Sequence, residues 1–270
     1  MILLRTTRVG DRERRFADDL AESSGFPVTY LVDGRRGPVP EESRPLIAVT
    51  DEGCARLGLP LVDYYAWRCG DYGLYLARER FPDADFFWLI EGDVRFSRFP
   101  ATAFFDVMAR SDADLLAGYL EPARPDWFWY QHGRGRDVTP YRCLYSTLRA
   151  SVPLIDTMYQ KRARHGRSLA RRSLWSNDEV FTATTAVNGD FVALDFNDLD
   201  GPWYAPEYYE YKVTLDGDAL PDTGERPQLL HSVRYGADLA RRAINPPLDQ
   251  AWHFKGRRKV SRQLIRRLPW

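Results

Sequence analysis

The chain has 270 residues, and its 38 lysines plus arginines balance 38 aspartates plus glutamates, so no net charge draws it to nucleic acid or any other polyanion. That length can bury a sizeable core, as one large domain or two small ones. The three cysteines, Cys54, Cys69 and Cys143, show no CxxC spacing, which argues against a disulfide framework or a zinc site and fits a reducing compartment.

The apolar run at residues 1–4 is too short for a secretory signal, and no segment approaches the length of a membrane span. The expectation is a cytoplasmic protein. Aromatic residues make up 14% of the chain, which suits sugar or base stacking and equally suits a large core.

In chain order, residues 2–7 form a short apolar segment, and 12–22 place Phe16, Ala17, Leu20 and Ala21 at helical spacing. Residues 27–32 read as a second strand closed by Asp33-Gly34, and 46–50 as a third. A short helix then begins at Thr50 or Asp51. Strand, helix, strand, helix at this spacing predicts parallel pairing with right-handed crossovers. Residues 64–80 are expected to form one helix, although Gly70 and Gly73 inside it would each cost about 1 kcal/mol relative to alanine. Arg68 and Asp71 on that helix either face the site edge or form an ordinary i,i+3 surface pair.

The next stretch, Phe86-Phe87-Trp88-Leu89-Ile90-Glu91-Gly92-Asp93-Val94, organises the rest. Its continuous apolar run is the pattern of a strand buried on both faces of a parallel sheet. It delivers Glu91 and Asp93 to the carboxyl edge, where open α/β sheets bind ligands. Two carboxylates there suit a hard cation and the phosphates it bridges. The plain alternative is a turn in which Gly92 supplies a positive φ and the acids are merely solvated.

Residues 100–110 read as a helix, 114–119 as a strand, and 122–132 as an aromatic loop that either covers a substrate or plugs the sheet. A strand at 141–146 leads to Ser151, an N-cap with Pro153 in the first helical turn. Residues 161–172 are basic, without an acid, and read as a solvated face or an anion-binding one. In Trp175-Ser176-Asn177-Asp178-Glu179, Asn177 is a good N-cap, and the two acids complement the helix dipole. A carboxylate fixed at a helix start also suits a general base. A strand at 190–196 and a second aromatic patch at 203–211 follow, then a short strand at 227–233 that presents His231. The basic, amphipathic segment ending the chain suits contact with an anionic membrane surface or docking on its own domain. No glycine-rich phosphate loop or GxGxxG follows the first strand, which argues against a P-loop or dinucleotide domain.

Taken together, these elements and motifs resemble GT-A-type nucleotide-sugar glycosyltransferases of the bacterial type. The resemblance covers about residues 1–235 and implies an α/β fold, a Rossmann-type mixed, mainly parallel sheet flanked by helices. It implies a single domain over 1–240, with nucleotide-binding and acceptor halves at 1–120 and 121–240, then a basic tail at 241–270. Glu91 and Asp93 match the family's acid-x-acid element, with Glu in place of the usual first Asp, and His231 matches its C-terminal metal-binding histidine. A second candidate is His253, in the HxxGxxK-like His253-Phe254-Lys255-Gly256-Arg257-Arg258-Lys259. Asp178 and Glu179 resemble the later acidic motif that addresses the acceptor or the reacting carbon. Thr6, Arg8 and Asp33 fall where the family holds the nucleotide, and Arg68 and Asp71 where a helix contacts diphosphate and sugar.

The activity implied is sugar transfer from a nucleotide diphosphate sugar to a glycan, lipid or other hydroxyl acceptor in polysaccharide biosynthesis, with Mn²⁺ or Mg²⁺ as cofactor. The tail would add peripheral contact with the inner membrane face, and no nucleic-acid partner is implied. Two rivals remain: a nucleotidyltransferase on a similar sheet, and a non-catalytic glycan- or lipid-binding module.

Overall fold

A computed structural model describes residues 1–35, 37, 39 and 41–244. The strands are β1 Ile2–Thr6, β2 Val28–Asp33, β3 Leu46–Val49, β4 Phe86–Glu91, β5 Arg95–Phe96, β6 Leu115–Pro122, β7 Tyr141–Ser151, β8 Ala193–Asp195, β9 Leu215–Asp216, β10 Leu229–Leu230 and β11 Val233–Arg234. The α-helices are α1 Asp11–Ser24, α2 Asp51–Arg56, α3 Tyr65–Arg68, α4 Asp71–Arg80, α5 Thr102–Ala109, α6 Val152–Arg167, α7 Leu169–Ser173, α8 Asp178–Val187 and α9 Gly236–Ile244.

Seven strands form one sheet in the order β3-β2-β1-β4-β7-β6-β8. β1 lies parallel to β2 and β4, β2 to β3, and β6 to β8, while β7 runs against both β4 and β6. The sheet is therefore mixed and mainly parallel, with β7 reversed. The chain steps outward from β1 through β2 to β3, then returns past β1 to β4. That reversal opens a crevice at the carboxyl ends of β1 and β4, the usual ligand position in such sheets.

The period of two along each strand divides the core between the two faces. Phe87 and Leu89 of β4 pack with Leu3 of β1 on one face. Trp88 and Ile90 pack with Ile2 and Leu4 on the other. Burying each such side chain contributes about 1.5–3 kcal/mol, and β4 is continuously apolar because both of its faces are covered.

The caps form as the sequence suggests. Thr50 accepts from the Gly53 N–H, Ser151 from Leu154 and Asn177 from Val180. The expected helix at 64–80 is instead two helices, α3 and α4, broken at Cys69-Gly70. A Cβ on Gly70 would lie 2.6 Å from Arg5 Nη1, 2.7 Å from Tyr145 and 2.8 Å from Asp178 Oδ2, so the break lets backbone approach the site. The expected strand at 190–196 shortens to Ala193–Asp195 and passes into a 3-10 turn, Phe196–Asp198.

Both aromatic segments are largely core. Trp129 packs with Val180, and Trp203, Tyr204 and Tyr209 join the apolar face of Trp88 and Ile90. The basic run is not simply a solvated face either, because Arg162, His165 and Arg171 are buried. No helix among the described residues is long and apolar enough to cross a membrane. Residues 245–270, which include His253 and most of the basic tail, lie outside the described residues.

Candidate functional site

Arg5 of β1 and Glu91 of β4 are register partners at the crevice. The Gly92 N–H donates to the Arg5 carbonyl at 2.7 Å, and a Cβ on Gly92 would meet Thr6 Oγ1 at 3.0 Å. Gly92 is not in the left-handed region, so the positive-φ explanation of this glycine does not hold. It is needed for close approach between the two strand ends.

Around that approach, Glu91, Asp93 and His231 each present a ligand atom, all within 4.8 Å of one another. His231 Nε2 lies 3.8 Å from Glu91 Oε2 and 3.7 Å from Asp93 Oδ1. The second oxygen of each carboxylate is already engaged. Glu91 Oε1 accepts from Arg5 Nη1 at 2.7 Å, and Asp93 Oδ2 accepts from Ser232 Oγ at 2.8 Å and from Arg234 Nη2. One oxygen per acid thus fixes the side chain while the other converges on the imidazole. The Val233 N–H donates to the Asp93 carbonyl at 2.8 Å, tying the segment that carries His231 to the acidic turn.

Burial pushes the Glu91 carboxyl above its ordinary pKa, with Arg5 opposing it and Asp93 adding to it. Burial also opposes ionisation of Asp93, but His231, Arg234 and the Ser232 hydroxyl outweigh it and hold that carboxyl below the usual value. Two carboxylate oxygens and one imidazole nitrogen form a donor set that suits a divalent cation.

Arg5 connects this triad to Asp178. Its Nη1 lies 4.0 Å from Asp178 Oδ2, and its Nη2 donates to the carbonyls of Ala66 at 2.6 Å and Trp67 at 3.2 Å. Asp178, 5% exposed, opens α8, and each of its oxygens accepts a backbone N–H: Oδ2 from Gly70 at 2.8 Å and Oδ1 from Glu179 at 2.9 Å. Burial raises its pKa well above the ordinary value, while Arg5 and the Gly70 N–H act in the other direction. The buried N–H donors and the guanidinium orient this carboxylate without consuming all its acceptor capacity.

These groups line a cavity of about 980 Å³, to which nine arginines and seven carboxylates contribute. Thr6, Arg8, Asp33, Arg68, Glu91, Asp93, Asp178, Glu179 and His231 all border it. Thr6 Oγ1 donates to the Arg8 carbonyl at 2.8 Å, and Arg8 reaches Asp238 of α9 at 3.2 Å. Asp33 accepts from Arg35 Nε at 2.9 Å and Nη2 at 3.0 Å. Glu179 Oε2 accepts from Asn177 Nδ2 at 2.9 Å. Arg68 stacks 4.8 Å from the Trp129 ring centroid, and burial lowers its pKa to about 10.

Asp71 is the exception. It is fully buried and outside the cavity, gripped by Arg162 Nε at 2.7 Å and Nη2 at 3.0 Å, with the Tyr75 hydroxyl donating at 2.8 Å. The expected ligand contact from Asp71 is replaced by a structural ion pair: across the break at Cys69-Gly70, Arg68 borders the cavity while Asp71 opens α4 in the core. Arg162 Nη1 also donates to the Ser176 carbonyl at 3.0 Å, so the pair braces both the Gly70 turn and the segment entering Asp178.

Arg5, Ser232 and Arg234 escaped sequence reasoning as site residues. Arg5 had one usable signal, a charged residue ending an otherwise apolar strand.

No family model and no curated protein matches the chain. Solved structures similar to it include glycosyltransferases. The galactosyltransferase LgtC, in complex with donor and acceptor sugar analogues, matches at 11% identity over 94% of this chain and 100% of that one, with a TM-score of 0.47. Core-mannan synthase A (CmsA/Ktr4) from Aspergillus fumigatus, in an Mn/GDP form, matches at 9% identity over 73% of each chain, with a TM-score of 0.42. A glycosyltransferase involved in glycosylation of the major capsid of PBCV-1 matches at 13% identity over 60% of this chain and 66% of that one, with a TM-score of 0.32. At such values, function must be argued from the residues of this site.

Proposed function

We propose that the chain is a metal-dependent glycosyltransferase that moves a sugar from a nucleotide diphosphate sugar to a hydroxyl on a glycan or lipid-linked acceptor. The observation that carries this is the convergence of Glu91 Oε2, Asp93 Oδ1 and His231 Nε2 at the β1/β4 crevice, one guanidinium away from buried Asp178. Glu91, Asp93 and His231 would hold Mn²⁺ or Mg²⁺, which supplies Lewis-acid stabilisation of charge on a leaving diphosphate.

The protein's own groups account for the remaining roles. Arg234, which holds Asp93, and Arg8, which borders the same cavity, can share phosphate charge. Asp33, at the end of β2, and Thr6, at the end of β1, address the nucleoside end. Asp178, with Glu179 beside it, serves as base toward an acceptor hydroxyl or as the negative charge facing an oxocarbenium-like centre. Arg5 keeps Asp178 and Glu91 in fixed relation. A cytoplasmic setting and a place in polysaccharide biosynthesis belong to the same proposal.

The nucleotidyltransferase alternative is less well supported. Such chemistry calls for open N–H groups after β1, whereas the Gly10 N–H at the start of α1 already donates to Glu13 Oε2 at 2.9 Å. The test is thermal stability with UDP, GDP or CMP, with and without Mn²⁺. One nucleotide should stabilise the wild type in a Mn²⁺-dependent way, and Asp93→Asn should remove that dependence. Equal Mn²⁺ dependence in the variant would reject the triad as a metal site.

A further inference from the structure

The large apolar side chains exposed among the described residues are Val39, Leu61, Tyr64, Trp67, Leu169 and Val192. The two aromatic ones, Tyr64 at 63% and Trp67 at 49% exposure, both border the cavity. They are three residues apart: Tyr64, in the left-handed region at φ 56°, is the N-cap of α3, and the Trp67 N–H donates to its carbonyl at 3.0 Å, so both rings leave one short segment that borders the cavity. That segment is anchored. Arg5 Nη2 holds the carbonyls of Ala66 and Trp67, the Tyr65 hydroxyl donates to Asp51 at 2.6 Å, and the Arg68 N–H donates to the Tyr64 carbonyl at 2.9 Å. The rings are thus presented to solvent from a fixed backbone, at the mouth of the site, where an exposed apolar surface marks a binding role.

We propose that Tyr64 and Trp67 form a stacking platform for a pyranose ring of the acceptor, which makes the acceptor a carbohydrate. The proposal rests on the glycosyltransferase reading and narrows its acceptor class. A pyranose has apolar C–H faces and a rim of hydroxyls, which matches an aromatic ring that is half covered and half wet.

Position selects the acceptor over the nucleotide. Three residues past Trp67, the Gly70 N–H donates to Asp178 Oδ2 at 2.8 Å, so the turn that carries Trp67 leads directly to Asp178. Arg234 engages Asp93 from the other side, and α9 lies near it through Asp238, which pairs with Arg8 at the cavity. Phosphates belong with those arginines. The group that approaches Asp178 belongs with Trp67. The platform falls within residues 1–120, so acceptor binding is shared with the half first assigned to nucleotide.

Tryptophan fluorescence of the full chain tests this, using methyl pyranosides of glucose, galactose, mannose and xylose with Mn²⁺ and whichever of UDP, GDP or CMP stabilises the protein. Eight tryptophans contribute, so the difference between wild type and Trp67→Phe isolates one ring. At least one pyranoside should give a saturable change that Trp67→Phe loses, and Trp67→Ala should bind it about tenfold more weakly. Nucleotide and Mn²⁺ should stabilise Trp67→Ala as they stabilise the wild type, which separates failure of the platform from failure of the glycosyltransferase reading. The proposal is overturned if no pyranoside perturbs the wild type, or if nucleotide alone produces the whole Trp67-dependent change, which would make the turn a base-stacking site.

Discussion

Two arginine–carboxylate clusters lie close together in this protein and do opposite things. Asp71 and Arg162 are sealed, both at 0% side-chain exposure. Asp71 takes two bonds from Arg162 and one from Tyr75, and the third Arg162 nitrogen is occupied by the Ser176 carbonyl. The cluster of Arg5, Glu91, Asp93 and Asp178 opens into the cavity, and its two triad acids each keep one oxygen directed at His231. Saturated hydrogen bonding makes a brace, whereas withheld acceptor capacity makes a site.

The largest effect should come from breaking the sealed pair. Arg162→Leu strands the Asp71 carboxylate in the core and should lower unfolding free energy by about 3–5 kcal/mol, read from urea denaturation. Asp93→Asn, in the open cluster, should change metal-free stability by only about 1 kcal/mol while removing Mn²⁺-dependent stabilisation. If the two variants lose stability equally, the contrast between brace and site fails.

Gly70→Ala sharpens the link between the clusters. Its methyl group must displace Arg5, Tyr145 or Asp178, at a cost of about 1–3 kcal/mol. Sugar transfer should fall steeply while Mn²⁺ binding at Glu91, Asp93 and His231 persists. Loss of metal binding in this variant would place Asp178 and the triad in one inseparable unit.

A smaller effect concerns pH. The Asp178 pKa is raised by burial in the folded state, so its contribution to stability is fully present below the ordinary carboxylate pKa of about 4 and is lost as pH rises through the folded value. The stability difference between wild type and Asp178→Asn should therefore move in favour of the variant as pH rises from about 4, measured without metal. An unchanged difference would mean that Asp178 titrates as it does in the unfolded chain. Trp67→Ala, which removes a ring only half covered, should likewise shift stability by only about 1–2 kcal/mol, well short of the loss in Arg162→Leu.

The layered α/β architecture was legible because β1 and β4 begin as uninterrupted apolar runs, β2 is mostly apolar and α1 carries a clear stripe. The caps at Thr50, Ser151 and Asn177 were legible because each is a local side chain-to-backbone bond. Asp71 was misplaced because helical periodicity runs straight through Gly70, whereas the Gly70 N–H donates to Asp178, 108 residues away, and α3 and α4 part there. Arg5 was missed because its partners at 66, 67, 91 and 178 meet only after the sheet forms. The aromatic segments around Trp129 and Trp203 stood out by composition, yet composition does not distinguish a packed ring from a presented one. Tyr64 and Trp67 gave no signal until exposure was known.

The central claim is that the open cluster is a metal-dependent sugar-transfer site. It is tested most directly by turnover of a panel of nucleotide sugars, with and without Mn²⁺, by wild type and Asp93→Asn. The account predicts Mn²⁺-dependent hydrolysis or transfer from at least one nucleotide sugar by the wild type, and none by a folded Asp93→Asn. Turnover that survives unchanged in Asp93→Asn, or no turnover of any nucleotide sugar by the wild type with Mn²⁺ present, would contradict it.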